Sequence, residues 1–251
     1  MFTSPAPDGI DLEQLTAALQ PVLDLRNGQV YGFEALLRGP AGSDVQPLSL
    51  FRRARREHWH GALEARARSL GFEAAERHLR GTEVLFLNGD IRLPLPAHAY
   101  PHLVLEVSES QEVNRSQVEK LRAQGFNLFL DDYGVSQGNL GRILDVQPTG
   151  IKVDRSLIRG IAHDHRKFAM ARAMSQLCRE LGIKLVAEGI ETREDLVAAC
   201  RAGFEYGQGY YLGRPQLVPD RDEIATTSRL LRGLAAERRF MLRRHFLATT
   251  V

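Results

Sequence analysis

Six short apolar runs punctuate the chain, and each ends on, or very near, a hydrogen-bonding or ionisable residue: VLFLN (84–88), LVLEV (103–107), NLFLDD (127–132), GIKVD (150–154), KLVAEG (184–189) and YGQGYYLG (206–213). The residues in question are Asn88, Glu106, Asp131 with Asp132, Lys152, Glu188 and Gln208. Around these runs, residues 48–80, 111–124, 137–146, 164–182 and 191–203 carry Leu, Ala, Phe and Ile at helical spacing among charged residues. Upstream, PVLDLRNGQVYGFEAL (21–36) reads as two extended runs joined at Asn27-Gly28, a pair that tolerates the positive φ of a tight hairpin. Strand-helix alternation of this length predicts a parallel sheet covered by helices, and eight strands, counting the hairpin, favour a closed barrel over an open sheet. The expected fold is α/β: a modified TIM (β/α)8 barrel with an antiparallel first strand. PLPAHAYP (94–101) makes one crossover irregular. The barrel is expected over residues 1–216, with 217–251 a C-terminal helical extension packed on it.

In a parallel barrel the C-terminal strand ends meet at one mouth, so the polar strand-end residues converge there although they are far apart in sequence. Glu34, read as ending the second strand of the hairpin, joins them. Carboxylates and an amide gathered in a small volume repel one another unless cations are bound, and oxygen-only ligand sets select hard ions such as Mg²⁺ or Mn²⁺. Arginine supplies nearly all the positive charge, lysine occurring only at positions 120, 152, 167 and 184, so Lys152 inside an apolar strand stands out. It leaves open a different barrel enzyme that works through a lysine Schiff base.

Several function classes fall away. A net charge of +2 with scattered basic residues gives no footprint for a nucleic-acid polymer. No apolar stretch approaches the roughly 20 residues of a transmembrane segment, and Met1 to Gln14 has neither a basic start nor an apolar core, so a cytoplasmic location is expected. Cys178 and Cys200 are expected to be reduced core residues rather than a disulfide framework. His58, His60, His163 and His165 lack the companions of a full metal site and read as surface or helix-cap residues, while Trp59 reads as helix packing. From about residue 221 to 247 a helix-like stretch sets Leu230, Leu231, Leu234, Met241, Leu242 and Phe246 beside Arg238, Arg239, Arg243 and Arg244. Packing on the barrel is the plain reading, a protein partner or a membrane surface the alternative.

The ordered series of motifs resembles the EAL-domain cyclic di-GMP phosphodiesterases. Gln20-Pro21, Glu34-Ala35-Leu36 followed by Leu37-Arg38, Asn88, LEVSE (105–109), DDYG (131–134), IKVD (151–154), AEGIET (187–192) and QGYYLGRP (208–215) match the family's elements in order, over about residues 18–216. The resemblance implies hydrolysis of cyclic di-GMP to linear pGpG by a homodimer using two Mg²⁺ or Mn²⁺ ions. It implies that Glu34, Asn88, Glu106 and Asp131 hold one ion and Asp131, Asp132 and Glu188 the other. Lys152, Glu34 and Glu188 become the catalytic residues, Lys152 orienting the attacking water. Arg38 with Leu36, Gln20, Glu191 and Gln208 falls to the substrate side, and Glu109 braces a loop. That loop departs from the family's Phe-Gly-Thr-Gly-Tyr-Ser-Ser-Leu, reading Tyr133-Gly134-Val135-Ser136-Gln137-Gly138-Asn139-Leu140. Val135 has no hydroxyl to donate, although Gly138 offers a replacement hinge. The alternative is a catalytically impaired cyclic di-GMP receptor or signalling scaffold.

Overall fold

Strands β1 (Thr16–Asp24) and β2 (Val30–Arg38) form the opening antiparallel hairpin, in register from Thr16 opposite Arg38 to Leu23 opposite Val30. The expected tight turn is a longer connection in which Gly28 takes φ 73°, and a Cβ there would lie 2.4 Å from the Ser228 carbonyl oxygen. The computed structural model describes residues 11–40, 43, 45–93, 102–134 and 140–248, with side chains as far as 234. Strands β3 (Val84–Asn88), β4 (Leu103–Ser108), β5 (Asn127–Tyr133), β6 (Gly150–Val153), β7 (Lys184–Ala187) and β8 (Tyr206–Gly207) complete a closed barrel in sequence order. Pairings from β2 to β8 are parallel, and β1 is antiparallel to both its neighbours. The expected α/β barrel with an antiparallel first strand is the fold of this chain.

Helices α1 (Pro47–Arg56), α2 (His60–His78), α3 (Arg115–Ala123), α4 (Gly141–Val146), α5 (Arg155–Ile158), α6 (His165–Glu180), α7 (Arg193–Ala202) and α8 (Arg221–Ala248) surround it. Polar side chains start several of them by accepting from otherwise orphaned backbone N–H groups: Asn114 in a capping box with Gln117, Asp154, Asp164 and Thr192. Two expectations need correction. The helical stretch 48–80 breaks in two at Glu57–Trp59, where His58 adopts φ 62° and the buried Trp59 packs among Leu15, Leu50, Leu63 and Leu70. The short helix α5 was not anticipated; the Asp154 cap nucleates it. Residues 94–101 and the altered loop 135–139 lie outside the described residues, as do the side chains of the distal part of α8.

The barrel wall alternates as period 2 requires, except past Leu130 in β5. Leu85, Leu87, Leu105, Leu128, Leu130, Ile151, Val153 and Leu185 point outward into the main core, against helix residues such as Val118, Ile143, Ala171 and Leu196. Val22, Phe86, Val104, Phe129, Val186 and Tyr206 form a separate cluster inside the barrel. Ile224 and Leu231 bring α8 into the outer core, and the Arg221 guanidinium bonds Glu83 and lies 4.8 Å from the Phe33 ring centroid. No helix among the described residues is long and apolar enough to cross a membrane.

Candidate active site at the barrel mouth

Above the interior apolar cluster sits a ring of polar side chains, one from each strand or from the residue just after it. Moving two residues along each parallel strand leads from floor to ring: Gly32 to Glu34, Phe86 to Asn88, Val104 to Glu106, Phe129 to Asp131, Gly150 to Lys152, Val186 to Glu188 and Tyr206 to Gln208. In the reversed strand β1 the order inverts, and Gln20 precedes Val22. Two residues of extended chain rise about 6.6 Å, so the ring forms a layer directly over the floor. Gly150 is required by that floor: a Cβ would come within 2.2 Å of the Phe129 ring. Glu34 is the exception to the strand-end expectation. It lies in the middle of β2, which continues to Arg38 because β1 pairs with it back to Thr16.

Lys152 is the hub. Its side chain is 1% exposed, and Nζ lies 2.7 Å from Glu106 Oε1, 2.7 Å from Glu188 Oε1, 3.0 Å from Glu34 Oε2 and 3.5 Å from Asp131 Oδ1. Glu34 is held on both oxygens: Asn88 Nδ2 donates to Oε1 at 2.6 Å, and Gln208 Nε2 donates to Oε2 at 2.6 Å. Gln208 Nε2 also reaches Gln20 Oε1 at 3.0 Å, and Gln20 Nε2 donates to the Gly213 carbonyl at 3.1 Å.

Asp131 and Asp132 are consecutive, so a regular strand would turn them to opposite faces. The β5/β6 register instead slips between Leu130 and Tyr133, and Asp132 takes the left-handed φ of 53°. This local distortion brings both carboxylates to the mouth, a use of backbone strain common at functional sites. One oxygen each from Asp131, Asp132 and Glu188 then lies within 4.8 Å of the others, the one acidic group of that kind among the described residues.

Charge is poorly balanced here. Burial pushes Glu188 up to about 8 and Asp131 up to about 6, with neighbouring carboxylates adding and Lys152 opposing. Burial and the Glu34 charge drive Glu106 well above its ordinary range. Burial would raise Glu34 as well, but Lys152 and the bonds from Gln208 and Asn88 outweigh it and hold that carboxyl low. For Lys152, burial is overcome by the attraction of Asp131, Glu106, Glu188 and Glu34, which keeps the ammonium charged. A Schiff-base role needs a neutral lysine, and the four carboxylate oxygens around Nζ favour the charged form instead. Glu106 Oε2 is buried without a hydrogen-bond partner among the described residues. An oxygen-only set with an orphaned carboxylate oxygen fits a hard divalent cation.

The other sequence-predicted residues fall in different places. Leu36 and Arg38 follow Glu34 on the same face of β2, both partly buried, and Arg38 Nη1 donates to the Leu37 carbonyl at 2.8 Å. Gln20 is buried behind Gln208 with its amide committed. Glu191 is exposed, 3.6 Å from Arg159 Nε, and is not part of the ring. Glu109 is buried and accepts from the Gly134 N–H at 3.1 Å. Sequence reasoning missed Glu64 and Arg68, two buried charges on α2 beside the turn that follows Asn88. Their spacing of four on a helix, next to Leu63 and Leu70 of the apolar face, was the available signal.

Fold and site together define an α/β barrel of the TIM kind with an acid-rich mouth that could hold a divalent cation. The family profile of the EAL domain matches residues 6–215, and the chain belongs to the EAL domain family. It is 35% identical over 119 residues, 45% of this chain and 17% of the relative, to the bifunctional diguanylate cyclase/cyclic di-GMP phosphodiesterase MucR of Pseudomonas aeruginosa. It is 27% identical over 150 residues, 59% of this chain and 17% of the relative, to the cyclic di-GMP phosphodiesterase PdeB of Shewanella oneidensis. The aligned segments thus span under a fifth of those relatives. Among solved structures, the MucR phosphodiesterase in complex with c-di-GMP superposes with a TM-score of 0.69 at 26% identity, covering 84% of this chain and 94% of that one. Klebsiella pneumoniae BlrP1 with calcium and cyclic di-GMP gives 0.71 at 26% identity, covering 84% and 58%.

Proposed function

We propose that this chain hydrolyses cyclic di-GMP to linear pGpG with two Mg²⁺ or Mn²⁺ ions, Asp131, Asp132 and Glu188 holding one and Glu34, Asn88, Glu106 and Asp131 the other. The observation that carries this reading is the all-oxygen cluster of Asp131, Asp132 and Glu188, of which Asp131 and Glu188 share the Lys152 ammonium with Glu34 and Glu106. Bound there, the cations would activate a water and stabilise the attacking and leaving oxygens of an in-line phosphodiester displacement.

The residues themselves do the positioning. Lys152 gathers the ring carboxylates and, as a buried ammonium, would offset negative charge developing on the phosphoryl oxygens. Glu34, held by Asn88, Gln208 and Lys152, keeps one orientation. Arg38, two pleats beyond Glu34, presents a forked donor to the substrate's phosphate or guanine. Leu36 adds apolar surface between them. Glu109 steadies the chain that leaves Asp132 through its bond from the Gly134 N–H.

One observation favours a second reading. Among the described residues a single acidic group has its oxygens close enough for one ion, and the Lys152 ammonium sits between Glu34 and Glu106. A one-cation receptor that binds cyclic di-GMP uncut is the rival. Incubating the purified chain with cyclic di-GMP and Mn²⁺ separates them: pGpG supports the hydrolase, while bound and intact cyclic di-GMP makes the protein a receptor.

A further inference from the structure

The turn after Asn88 is gripped by a pair of buried charges that the ring does not contain. Glu64 and Arg68, one helical turn apart on α2, are 6% and 4% exposed. Glu64 Oε2 accepts from the Asp90 N–H at 3.4 Å, and Arg68 Nη2 donates to the Asp90 carbonyl at 2.6 Å. Both polar groups of a single backbone residue are thus held from one helix. The grip is close: a Cβ on Gly89 would meet Glu64 Oε2 at 2.8 Å and Arg68 Nη2 at 2.9 Å. The Asp90 carboxylate is tied separately, to Arg92 and to Gln111 Nε2 at 3.0 Å.

Burial pushes Glu64 up and Arg68 down, so both charges are held at a cost in solvation. Buried opposite charges are commonly no more stabilising than apolar residues of the same volume, so stability alone does not account for this arrangement. What it fixes is local. Asn88 ends β3 at an exposed position, with one neighbour in the ring, Glu34 Oε1, and its backbone direction is set by the Gly89–Asp90 turn.

We infer that Glu64 and Arg68 are positioning residues: they clamp the Gly89–Asp90 turn and thereby hold the Asn88 amide in the cation-binding ring. The role rests on the metal-dependent reading above. Partners of this kind, lying behind a ligand, typically change metal affinity by about 10–100-fold when removed. Glu64→Gln keeps an acceptor for the Asp90 N–H, whereas Glu64→Ala and Arg68→Met each release one side of the clamp.

The test measures Mn²⁺ affinity by electron paramagnetic resonance and, in chelator, amide hydrogen exchange at Asp90. Glu64→Ala and Arg68→Met are expected to weaken Mn²⁺ binding about tenfold. They are also expected to speed Asp90 exchange while strand amides of β4 to β7 keep theirs, and Glu64→Gln should restore both. Adding Arg68→Met to Asn88→Ala should cost less than the two separately, because both act through one ligand. If Arg68→Met fails to fold, Arg68→Gln, which retains a donor, takes its place. Variants that melt lower yet keep wild-type Mn²⁺ affinity and Asp90 exchange overturn the clamp, as does a Glu64→Gln as impaired as Glu64→Ala. A wild type that binds no Mn²⁺ sinks the metal-dependent reading instead, and the clamp on the turn is then judged by Asp90 exchange alone.

Discussion

Replacing Lys152 by Met removes the ammonium but keeps the length of the side chain, and the structure sets the size of the effect. Four carboxylate oxygens lie 2.7 to 3.5 Å from Nζ, and the Glu106 side chain is fully buried. Removing one partner of a buried charge pair costs about 3–5 kcal/mol. Burial already pushes Glu188, Asp131 and Glu106 up, so the oxygens left behind can relieve their repulsion by taking up protons, and the lower end applies. At about 2–4 °C per kcal/mol for a chain of this size, a loss of about 3 kcal/mol lowers Tm by about 6–12 °C. The assay is thermal unfolding of wild type and Lys152→Met, in chelator and with saturating Mn²⁺. The gap should be largest in chelator and should narrow with Mn²⁺, because divalent charge replaces the missing ammonium among the same oxygens. Turnover of cyclic di-GMP should fall by about 10²-fold or more, the cost of removing a preorganised charge from a reaction centre. A variant that melts within about 2 °C of wild type in chelator, a loss of no more than about 1 kcal/mol, would refute the claim that Lys152 neutralises the ring. So would a gap that Mn²⁺ leaves unchanged.

Asp132→Asn keeps a residue that tolerates the left-handed φ of 53° and removes the charge. Tm should stay within about 2 °C while Mn²⁺ affinity by calorimetry falls at least about tenfold; undiminished binding would remove Asp132 from the cation site. Gly150→Ala forces a methyl against the Phe129 ring and should cost about 1–3 kcal/mol in denaturant unfolding. A neutral result there would mean that the barrel floor is loosely packed. The Tyr133 hydroxyl is buried without a hydrogen-bond partner among the described residues, so Tyr133→Phe should stabilise by about 1 kcal/mol. A fall in Tm would show that the hydroxyl has a partner.

The sequence disclosed the ring because two simple periodicities act together: alternation along each strand, and convergence of parallel strand ends at one mouth. Asn88, Glu106, Asp131, Lys152, Glu188 and Gln208 all answer to those rules. Residues that depend on a departure from regular geometry were not legible in the same way. Asp132 reaches the mouth through a register slip that no residue type announces. Glu34 reads as a strand end in the sequence, yet pairing with β1 carries β2 on to Arg38. The break between α1 and α2 falls at Glu57–Trp59, which contains neither Gly nor Pro, so nothing local signals it. Lys152 drew notice as an odd lysine in an apolar run, but its four partners come from strands β2, β4 and β5 and from the residue after β7, a relation that appears only when the barrel closes.

The reversed first strand gives the two ends of the barrel different exposure to the rest of a polypeptide. Thr16 lies opposite Arg38, level with the rim, whereas α8 begins at the far end, bonded to Glu83 just before β3 and packed beside the hairpin turn at Gly28. In a barrel of eight parallel strands the chain would enter from below. Here the route from Thr16 into the ring is short: Gln20, four residues on, is bonded by Gln208, which bonds Glu34, which accepts from the hub ammonium. The start of α8 instead meets Glu83, Phe33 and the Gly28 turn, none of which belongs to the ring.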